Sequence, residues 1–165
     1  MVLTEDMGYQ MTIEIRNANP ADAEAIAANN SAIAVETEGH SLETDIIGPG
    51  VRELLSNAAS GRYWVAEIDG ELVGQIMATY EWSDWRNGNL WWIQSVYVHP
   101  EFRRIGIFSA LYHHVESLAR SVAGVRGLRL YVENNNKRAQ KTYEALGMVD
   151  PNYKVMQAIF DEPSC

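Results

Sequence analysis

The stretch VYVHPEFRRIGIFSALYHHV, residues 96–115, contains the change of structure that decides the fold. A β-branched run ends at a proline, two arginines and a glycine follow, and apolar residues then recur at the spacing of an amphipathic helix. The stretch therefore predicts a buried strand that passes directly into a helix. The turn between the two elements spans Arg103 to Gly106.

This corner has the chemistry of an anion site. Helix N-termini leave backbone N–H groups unpaired and carry partial positive charge from the helix dipole. Gly106 lets the backbone approach an anion closely, and Arg103 and Arg104 can add charge-assisted hydrogen bonds. The same residues can equally form an ordinary turn with two solvated arginines, since short glycine motifs often match by chance. The corner is thus a candidate phosphate site.

The composition is that of an ordinary globular protein. The 165 residues suit one domain with its own core, and 47% of them are hydrophobic. We expect an N-terminal extension at residues 1–10 and a single domain at residues 11–165. The 13 Lys and Arg against 22 Asp and Glu give a net charge of −9, which repels nucleic acid and anionic membranes. A cationic partner is mildly favoured.

Other kinds of site find little support in the sequence. Cys165 is the only cysteine and the last residue, which excludes a disulfide within the chain, and we give it no catalytic role. His113 and His114 are adjacent on a predicted helix and point about 100° apart, so we expect no metal. No apolar run approaches the ~20 residues of a membrane span, and the N-terminus lacks the pattern of a signal peptide. We expect a cytoplasmic protein.

Cap and turn residues divide the chain into elements. Asn19 before Pro20 is typical of a helix start, and Asp69-Gly70 is typical of a hairpin turn. A second hairpin turn is predicted at 87–88, and Gly147 is typical of a helix end. The predicted elements, in chain order, are a strand at 12–16, a helix from 20, a helix at 51–59, two hairpin strands within 62–82, a strand at 90–98, a helix from 107, a strand at 127–132, a helix at 135–147 and a strand at 152–160.

The order β-α-α-β-β-β-α-β-α-β predicts an α/β fold. Antiparallel hairpins come first, whereas the strand-helix-strand crossover around the opening stretch needs a parallel pair. We therefore expect a central mixed, mostly antiparallel twisted sheet that is flanked by helices.

Two segments carry a family resemblance. QSVYVHPEFRRIGIFSALYHHV, followed by LRLYVENNNKRAQKTYEALGM, resembles the GNAT superfamily of acyl-CoA-dependent N-acyltransferases. That family has an Arg/Gln-x-x-Gly-x-Gly/Ala turn after its fourth strand, and an Asn seven residues before a Tyr, with a Leu-Gly-aromatic ending. Here the turn is residues 103–108, and Asn136 precedes Tyr143. Phe108 at the third small position and Met148 at the closing aromatic depart from the pattern.

The resemblance implies a GNAT-like fold that uses acetyl-CoA as a co-substrate and needs no metal. The motifs cover about residues 90–150, and the element order fits the chain from Met11 on. In this family the pantetheine arm of CoA lies along the fourth strand, and the pyrophosphate lies on the N–H groups that begin the next helix. The implied cofactor-binding residues are Val96, Tyr97, Val98, Arg103, Arg104, Ile105, Gly106, Ile107, Phe108, Ser109, Asn136 and Tyr143.

The implied chemistry is direct transfer of the acetyl group to a primary amine through a tetrahedral intermediate. The backbone N–H near Val96 is the candidate donor to the oxyanion. Tyr143 is the candidate proton donor to the departing thiolate, and its alternative role is that of a core aromatic residue.

The general base has several candidates. Many relatives have a glutamate on the fourth strand, but Gln94 and Ser95 stand there in this chain, and neither is a base. Glu81, Asp84 or Glu133 could deprotonate the amine through water, and each could equally be a solvated loop acid. The base is left unassigned.

Aromatic residues offer a candidate acceptor site. Trp82 and Trp85, together with Asp84, could form a wall that contacts an ammonium group through its ring faces. Trp91 and Trp92 are adjacent, so they face opposite sides of a strand and are better explained by a core or a subunit interface. A homodimer would fit this aromatic content and is common among family members.

An acidic segment favours a small, cationic acceptor. Glu36, Glu38, Glu43 and Asp45 lie between the first two predicted helices, in a stretch that we expect to be loose. The family places this segment near the acceptor, so Glu36 is included among the substrate-binding candidates.

Two other classes of function stay open. A catalytically inactive acyl-CoA-binding module would explain Phe108 and the missing strand glutamate, and predicts binding without turnover. A protein-interaction domain would use the aromatic hairpin as its interface, and predicts no binding of CoA.

Overall fold

The computed structural model describes residues 2–4 and 10–160. This part of the chain contains short and long strands, four α-helices and three single 3₁₀ turns. The elements are β1 (Val2–Thr4), β2 (Gln10–Thr12), β3 (Glu14–Asn17), α1 (Ala23–Glu38), α2 (Thr44–Ser56), β4 (Gly61–Ile68), β5 (Glu71–Ser83), β6 (Gly88–Val98), α3 (Ile107–Ser121), β7 (Val125–Leu130) and α4 (Lys137–Ala145). The 3₁₀ turns are Pro20–Asp22, Asp84–Arg86 and Pro100–Phe102.

Five of the strands form one sheet, in the order β3-β4-β5-β6-β7. Neighbouring strands are antiparallel except for β6 and β7, which are parallel. The mixed, mostly antiparallel sheet and its parallel step around α3 are therefore confirmed. The first predicted strand divides at residue 13, because β2 pairs with β1 whereas β3 pairs with β4.

Local turn chemistry fixes the hairpins and the first helix. Asp69 and Gly70 have φ values of 53° and 81°, which is the backbone of a type I′ hairpin turn. Asn87 has φ 44° and ends the turn before β6. The Asn19 side chain accepts from the Ala21 N–H at 2.9 Å and forms a capping box with the residue three positions on. These predictions are confirmed.

The two faces of the sheet carry different helices. Tyr63, Val65 and Met77 pack in one buried cluster with Ile26 of α1 and Val51 of α2. Because side chains alternate along a strand, the neighbouring residues of β4 and β5 face the other side. Buried residues of α3 pack there, and both layers exclude water from the sheet.

One glycine sets how closely α3 approaches the sheet. A Cβ added to Gly74 of β5 would lie 3.0 Å from Ile107 Cγ2 and 3.4 Å from Leu111 Cδ1. The first two turns of α3 therefore rest almost directly on the backbone of β5. This contact fixes the position of the helix N-terminus.

An ion cluster connects the first strand of the sheet to its neighbour. Arg16 donates to Asp22 at 2.8 Å and also binds Glu67 of β4. Asp22 accepts in addition from the Asn19 N–H at 2.7 Å. The hydrogen bond from Arg16 lowers the pKa of Asp22 below its ordinary value, so the carboxylate contributes to stability.

The segment between the first two helices is more helical than the sequence suggested. Glu36 and Glu38 lie in α1, and α2 begins at Thr44, seven residues before its predicted start. Pro49 lies inside α2, where it removes one helical hydrogen bond, and for that reason the sequence indicated a break. Burial of Val51 and of the apolar residues beside it against the core offsets this loss.

The predicted last strand is wrong within the described residues. Residues 151–160 have no strand partner and are exposed, including the apolar Tyr153, Val155 and Phe160. A strand is stabilised by pairing with a neighbour, and the alternating pattern alone did not reveal whether a neighbour would pair there.

The chain divides into two compact units, residues 1–131 and 132–165. The first unit holds the sheet and α1 to α3, and the second holds α4. Gly147, two residues after the end of α4, has φ 83° and closes the helix as predicted. The single domain at 11–165 stays a prediction, and parts of the predicted extension, namely residues 1 and 5–9, lie outside the described residues, as does Cys165.

Candidate active site

The sheet opens along β6. The register pairs β6 with β7 only from Asn89 to Ile93, opposite Val125 to Leu130. β6 then continues for five residues to Val98, beyond the end of β7. Along these five residues one side of β6 has no strand partner in the described part of the chain. We call this side, from 94 to 98, the open edge.

A β-bulge lies in the open edge. Gln75 pairs with Tyr97 and Met77 pairs with Gln94, so Ser95 and Val96 together stand opposite a single residue of β5. Ser95 has φ 48°, which is rare for a residue other than glycine. Bulges bend a strand and redirect its backbone groups. Nothing in the sequence pointed to this bulge, because no glycine marks it.

Main-chain groups of β6 face the open edge in alternation. The His99 N–H donates to Val73 O of β5 at 2.9 Å. Since successive residues of a strand direct their N–H and C=O groups to opposite sides, Val98 faces away from β5. Val96, two residues earlier, is expected to face the same way. Val96 and Val98 are among the residues that the family resemblance implies for binding the cofactor, and the buried Tyr97 lies between them.

The predicted phosphate corner follows the open edge directly. After the Pro100–Phe102 turn, Arg104 and Gly106 adopt φ values of 71° and 91°, and Gly106 is the N-cap of α3. The N–H groups of Ile107, Phe108 and Ser109 belong to the first turn of α3 and have no carbonyl partner within the helix. The dipole of this 15-residue helix adds partial positive charge at the same place. Ile105 lies between the two left-handed residues.

The two arginines of the corner differ in their environment. Arg103 donates to both carboxylate oxygens of Glu36 at 2.9 and 2.8 Å, to Val98 O at 2.9 Å, and lies over the Tyr97 ring at 5.7 Å. Arg104 is exposed and makes no ion pair or hydrogen bond through its side chain among residues 10–160. Arg104 is therefore the better placed of the two to receive an anion, and Arg103 braces the corner against α1.

Phe108 at the third small position is half-buried and directed along α3. Its ring centroid lies 6.2 Å from that of Tyr112, one turn further on. The ring thus packs beside a buried residue of its own helix. Phe108 therefore contributes to the packing of α3.

The candidate acids of the β5–β6 hairpin are already hydrogen bonded. Glu81 accepts from Arg129 Nη1 at 3.0 and 3.2 Å, and from the Trp92 indole N–H. Asp84 accepts from the Trp85 N–H at 2.8 Å and closes its own turn. Neither carboxylate is directed into the open edge by these contacts.

The exposed tryptophans lie far along the strand from the bulge. Trp82 and Trp85 are 61% and 87% exposed. Trp82 pairs with Asn89, which is seven residues before Val96 and therefore about 23 Å away at the rise of a strand. A small acceptor that contacts these tryptophans would not reach the bulge, although a long one would.

A second aromatic surface, missed by the sequence analysis, is nearer to the bulge. The rings of Trp92 and Tyr131 lie 4.4 Å apart, and the Arg129 guanidinium lies over Trp92 at 5.7 Å. Trp92 is four residues before Val96, a distance of about 13 Å along the strand. Trp91, by contrast, is buried and stacks on Trp64 at 6.0 Å, so it belongs to the core as predicted.

The remaining candidates lie in the second unit. Asn136 is the N-cap of α4, and its side-chain oxygen accepts from the Ala139 N–H at 3.0 Å, which leaves its amide N–H groups for other partners. Burial raises the pKa of Tyr143 above its ordinary value, which keeps its hydroxyl protonated. Glu133 is exposed, three residues beyond the end of β7, and its backbone oxygen accepts from the Gln140 side chain at 2.9 Å.

Two kinds of feature are absent from the described residues. No group of three or more His, Cys, Asp or Glu side chains in residues 10–160 is arranged to hold a metal ion. No helix in the same range has the length and apolar character needed to cross a bilayer.

Known proteins are similar to this chain in sequence and in fold. The model of the acetyltransferase (GNAT) family matches residues 25–148. The crystal structure of a possible acetyltransferase from Clostridium difficile 630 is 44% identical and has a TM-score of 0.85, covering 91% of this chain and 99% of its own. A predicted acetyltransferase with acetyl-CoA from Clostridium acetobutylicum has a TM-score of 0.71 at 16% identity, covering 89% of this chain and 96% of its own, which indicates a shared fold.

One curated relative carries a specific activity in its name. Thialysine N-epsilon-acetyltransferase from Bos taurus is 37% identical over 79 residues, which are 48% of this chain and 45% of the relative. The chain thus spans about half the length of the relative that it matches. Because the family model covers well over half of the chain and the Clostridium difficile structure matches nearly all of it, this protein belongs to the GNAT acetyltransferase family.

Proposed function

We propose that the protein transfers the acetyl group of acetyl-CoA to a primary amine. The observation that carries this proposal is the continuity of the open edge with the N-terminus of α3. A linear row of main-chain groups that ends in an anion-binding corner fits an extended amide-containing chain that ends in a pyrophosphate. Membership of the acetyltransferase family supports the same assignment.

The residues of the corner fit a pyrophosphate by their chemistry. Two left-handed residues, Arg104 and Gly106, form a concave backbone of the kind that binds anions, and the first N–H groups of α3 continue it. Arg104 adds a positive charge that no carboxylate within the described residues neutralises. Asn136 would hold the pantetheine arm through its amide, in keeping with the family motif.

The reaction forms an N–C bond and breaks the C–S bond of the thioester. The Val96 N–H would stabilise the oxyanion that develops on the carbonyl oxygen. Tyr143, by its place in the Asn-to-Tyr motif, would give a proton to the departing thiolate and regain one from solvent. The proton of the amine would leave through water to a carboxylate, for which Glu81, Asp84 and Glu133 are the proposed candidates. Glu81 pairs with Leu90, six residues and about 20 Å before Val96, and Asp84 lies farther along the hairpin, so these two would act only through a long chain of waters.

The proposed acceptor is a small cationic amine. The net charge of −9 and the exposed acids Glu38, Glu43 and Asp45 attract cations. The name of the bovine relative points to the terminal amine of a lysine-like amino acid. Glu36 is bound to Arg103, so we assign it to the corner as much as to the acceptor. We further propose a cytoplasmic location and leave dimerisation as the prediction made from the aromatic content.

Calorimetric titration with acetyl-CoA tests the proposal. We expect micromolar or tighter binding to the wild type, and a loss of about 10- to 100-fold or more in Arg104→Glu and Gly106→Asp, since each places a negative charge on the corner. Arg62→Glu, an exposed arginine of β4, is the charge-matched control and should bind normally. Thialysine, lysine, spermidine and a short peptide then serve as acceptors.

The outcomes separate the three classes of function. Binding of acetyl-CoA together with acetylation of an amine would support the N-acetyltransferase. Binding without turnover of any amine in the panel would support the inactive acyl-CoA-binding module. No binding of acetyl-CoA to the wild type would overturn the proposal and leave the protein-interaction domain.

A further inference from the structure

A buried polar side chain of the sheet has no part in the chemistry described so far. Gln75 of β5 is 0% exposed. Its oxygen accepts from Asn29 Nδ2 at 3.0 Å, and its nitrogen donates to Asn30 Oδ1 at 2.8 Å and to Ser95 O at 3.3 Å. Asn30 in turn donates to the Tyr63 hydroxyl at 3.0 Å. A buried amide needs such partners, and these three orient it fully.

One of these partners is the peptide group of the β-bulge. The Ser95 carbonyl and the Val96 N–H belong to the same peptide unit, which is planar and trans, so they point in opposite directions. Because Gln75 holds the Ser95 oxygen, the Val96 N–H is directed away from Gln75. The hydrogen bond on the carbonyl also polarises the N–H of the same peptide, which makes it a stronger donor.

A bulge leaves its extra residue outside the regular ladder, so this peptide lacks the pairing that fixes its neighbours. Ser95 and Val96 stand together opposite one residue of β5, and Ser95 has a left-handed backbone. Gln75 supplies a fixed hydrogen bond at this point. Two adjacent residues of α1, Asn29 and Asn30, hold the amide of Gln75 in a single orientation.

We propose that Gln75 is a positioning residue for acetyl transfer, which fixes the Ser95–Val96 peptide and thereby aims the Val96 N–H at the thioester carbonyl. This inference rests on the proposed function, because it requires acetyl-CoA at the open edge. An oxyanion donor accelerates a reaction only when it is held in place before the charge develops. The side chains of α1 thus act on the reaction through Gln75, without contact with the substrate.

A purely structural role makes a different prediction. Tyr63→Phe removes a hydrogen bond at the far end of the same buried network, and it leaves the contact between Gln75 and Ser95 in place. Gln75→Met has a similar volume and removes the contact with the bulge. Both variants should lose stability, because each lacks a buried hydrogen bond. Only Gln75→Met should change the orientation of the Val96 N–H.

The experiment compares these two variants with the wild type. Isotope-edited infrared spectra of bound [1-¹³C]acetyl-CoA report the hydrogen bond to the thioester carbonyl without an acceptor. Calorimetry gives the Kd of CoA, and assays with an amine that the wild type acetylates give kcat and KM. In Gln75→Met we expect the carbonyl band to move to higher frequency and kcat to fall about 10- to 100-fold, with the Kd of CoA little changed. Tyr63→Phe should show neither change.

The results distinguish this inference from the proposed function. If the wild type binds and transfers acetyl groups but Gln75→Met keeps the carbonyl band and kcat, only the positioning role is overturned. If Tyr63→Phe shows the same changes as Gln75→Met, the role is structural. If the wild type does not bind acetyl-CoA, both ideas are wrong. If Gln75→Met does not fold, Asn29→Ala, at a half-buried position, takes its place. It should move the carbonyl band by a smaller amount in the same direction, and an unchanged band would overturn the inference.

Discussion

Glu36 of α1 holds Arg103, which follows β6 by five residues, through two hydrogen bonds of 2.9 and 2.8 Å. The pair connects the helix layer on one face of the sheet to the turn that enters α3 on the other. Arg103 also binds Val98 O, so its guanidinium has three fixed acceptor contacts. This geometry separates the roles of two neighbouring arginines that the sequence could not distinguish.

We expect Arg103→Ala to weaken binding of acetyl-CoA less than Arg104→Ala does, because the Arg103 side chain is directed to protein acceptors. A double-mutant cycle with Glu36→Gln should give a coupling below about 1 kcal/mol in unfolding free energy, since both side chains are exposed. Urea unfolding and calorimetry measure the two quantities. A larger loss of affinity in Arg103→Ala would mean that Arg103 leaves Glu36 to bind the phosphate.

Acid stability depends on the cluster of Arg16, Asp22 and Glu67. The pKa of Asp22 is lowered in the folded state, so the unfolded chain takes up this proton at a higher pH than the folded chain does. The contribution of Asp22 is therefore complete above its unfolded pKa, about 3.9, and is lost as the pH falls through the folded pKa. At pH 7 the free energy of unfolding of Asp22→Asn should be about 2 kcal/mol below that of the wild type. Urea titrations should show this difference between the two proteins becoming smaller below about pH 4. Asp45→Asn, at an exposed site, is the control.

Tyr143 should donate its proton over the whole neutral and mildly alkaline range. Because burial raises its pKa, the hydroxyl stays protonated as the pH approaches 10. We expect kcat to fall about 10- to 100-fold in Tyr143→Phe, with the Kd of acetyl-CoA changed much less. A pH–rate profile of the wild type should show no loss of activity from tyrosine ionisation below pH 10. Equal kcat in Tyr143→Phe would place this residue in the core instead of the mechanism.

Close packing at Gly74 should matter for the cofactor as well as for stability. Gly74→Ala brings a Cβ to 3.0 Å from Ile107. Either α3 must shift, or the free energy of unfolding must fall by about 1–3 kcal/mol. Since Ile107 opens the helix, we expect weaker binding of acetyl-CoA in the folded variant. Gly127→Ala is the matched control, because its added Cβ would lie at an ordinary 3.4 Å from Leu90. Unchanged affinity in Gly74→Ala would show that the corner adapts to the shift.

The effects of Trp92→Leu and Trp85→Leu on KM should indicate the length of the acceptor. For a small amine, Trp92→Leu should raise KM several-fold because Trp92 lies about 13 Å from the bulge along the strand, whereas Trp85→Leu should not. For a long acceptor, such as a peptide chain, both should raise KM. Steady-state kinetics with spermidine and with a peptide compare the two cases. An increase of KM for spermidine in Trp85→Leu alone would contradict the small-acceptor assignment.

Local signals in the sequence predicted the parts of the fold that depend on neighbouring residues. The cap residue Asn19 with Pro20, the Asp69-Gly70 turn and Gly147 after the last helix each act within a few positions of the chain. The parallel step followed from connectivity, because a strand, a helix and a strand in succession require it. This order of elements already places the end of β6 beside the N-terminus of α3.

Contacts between distant segments could not be predicted from the sequence. α2 tolerates Pro49 because the rest of the helix packs on the core, and no local pattern contains that compensation. The bulge at Ser95 arises from the register between two strands, and the pair of Glu36 with Arg103 spans 67 positions. The strand wrongly predicted at 152–160 has the same cause. A strand forms only where a partner strand pairs with it, and the alternating pattern of one segment does not show whether such a partner is present.

The open edge presents main-chain atoms, and this has a consequence for how the family can diversify. In the proposed binding mode, substitutions along β6 to residues other than proline would keep the main-chain contacts with the donor molecule, because they leave the backbone N–H and C=O groups in place. Among the twenty residues, only proline at 96 or 98 would erase one of these N–H groups. In that binding mode, the residues around the acceptor could change while the contacts with the donor stay the same, and one backbone would suit several amines.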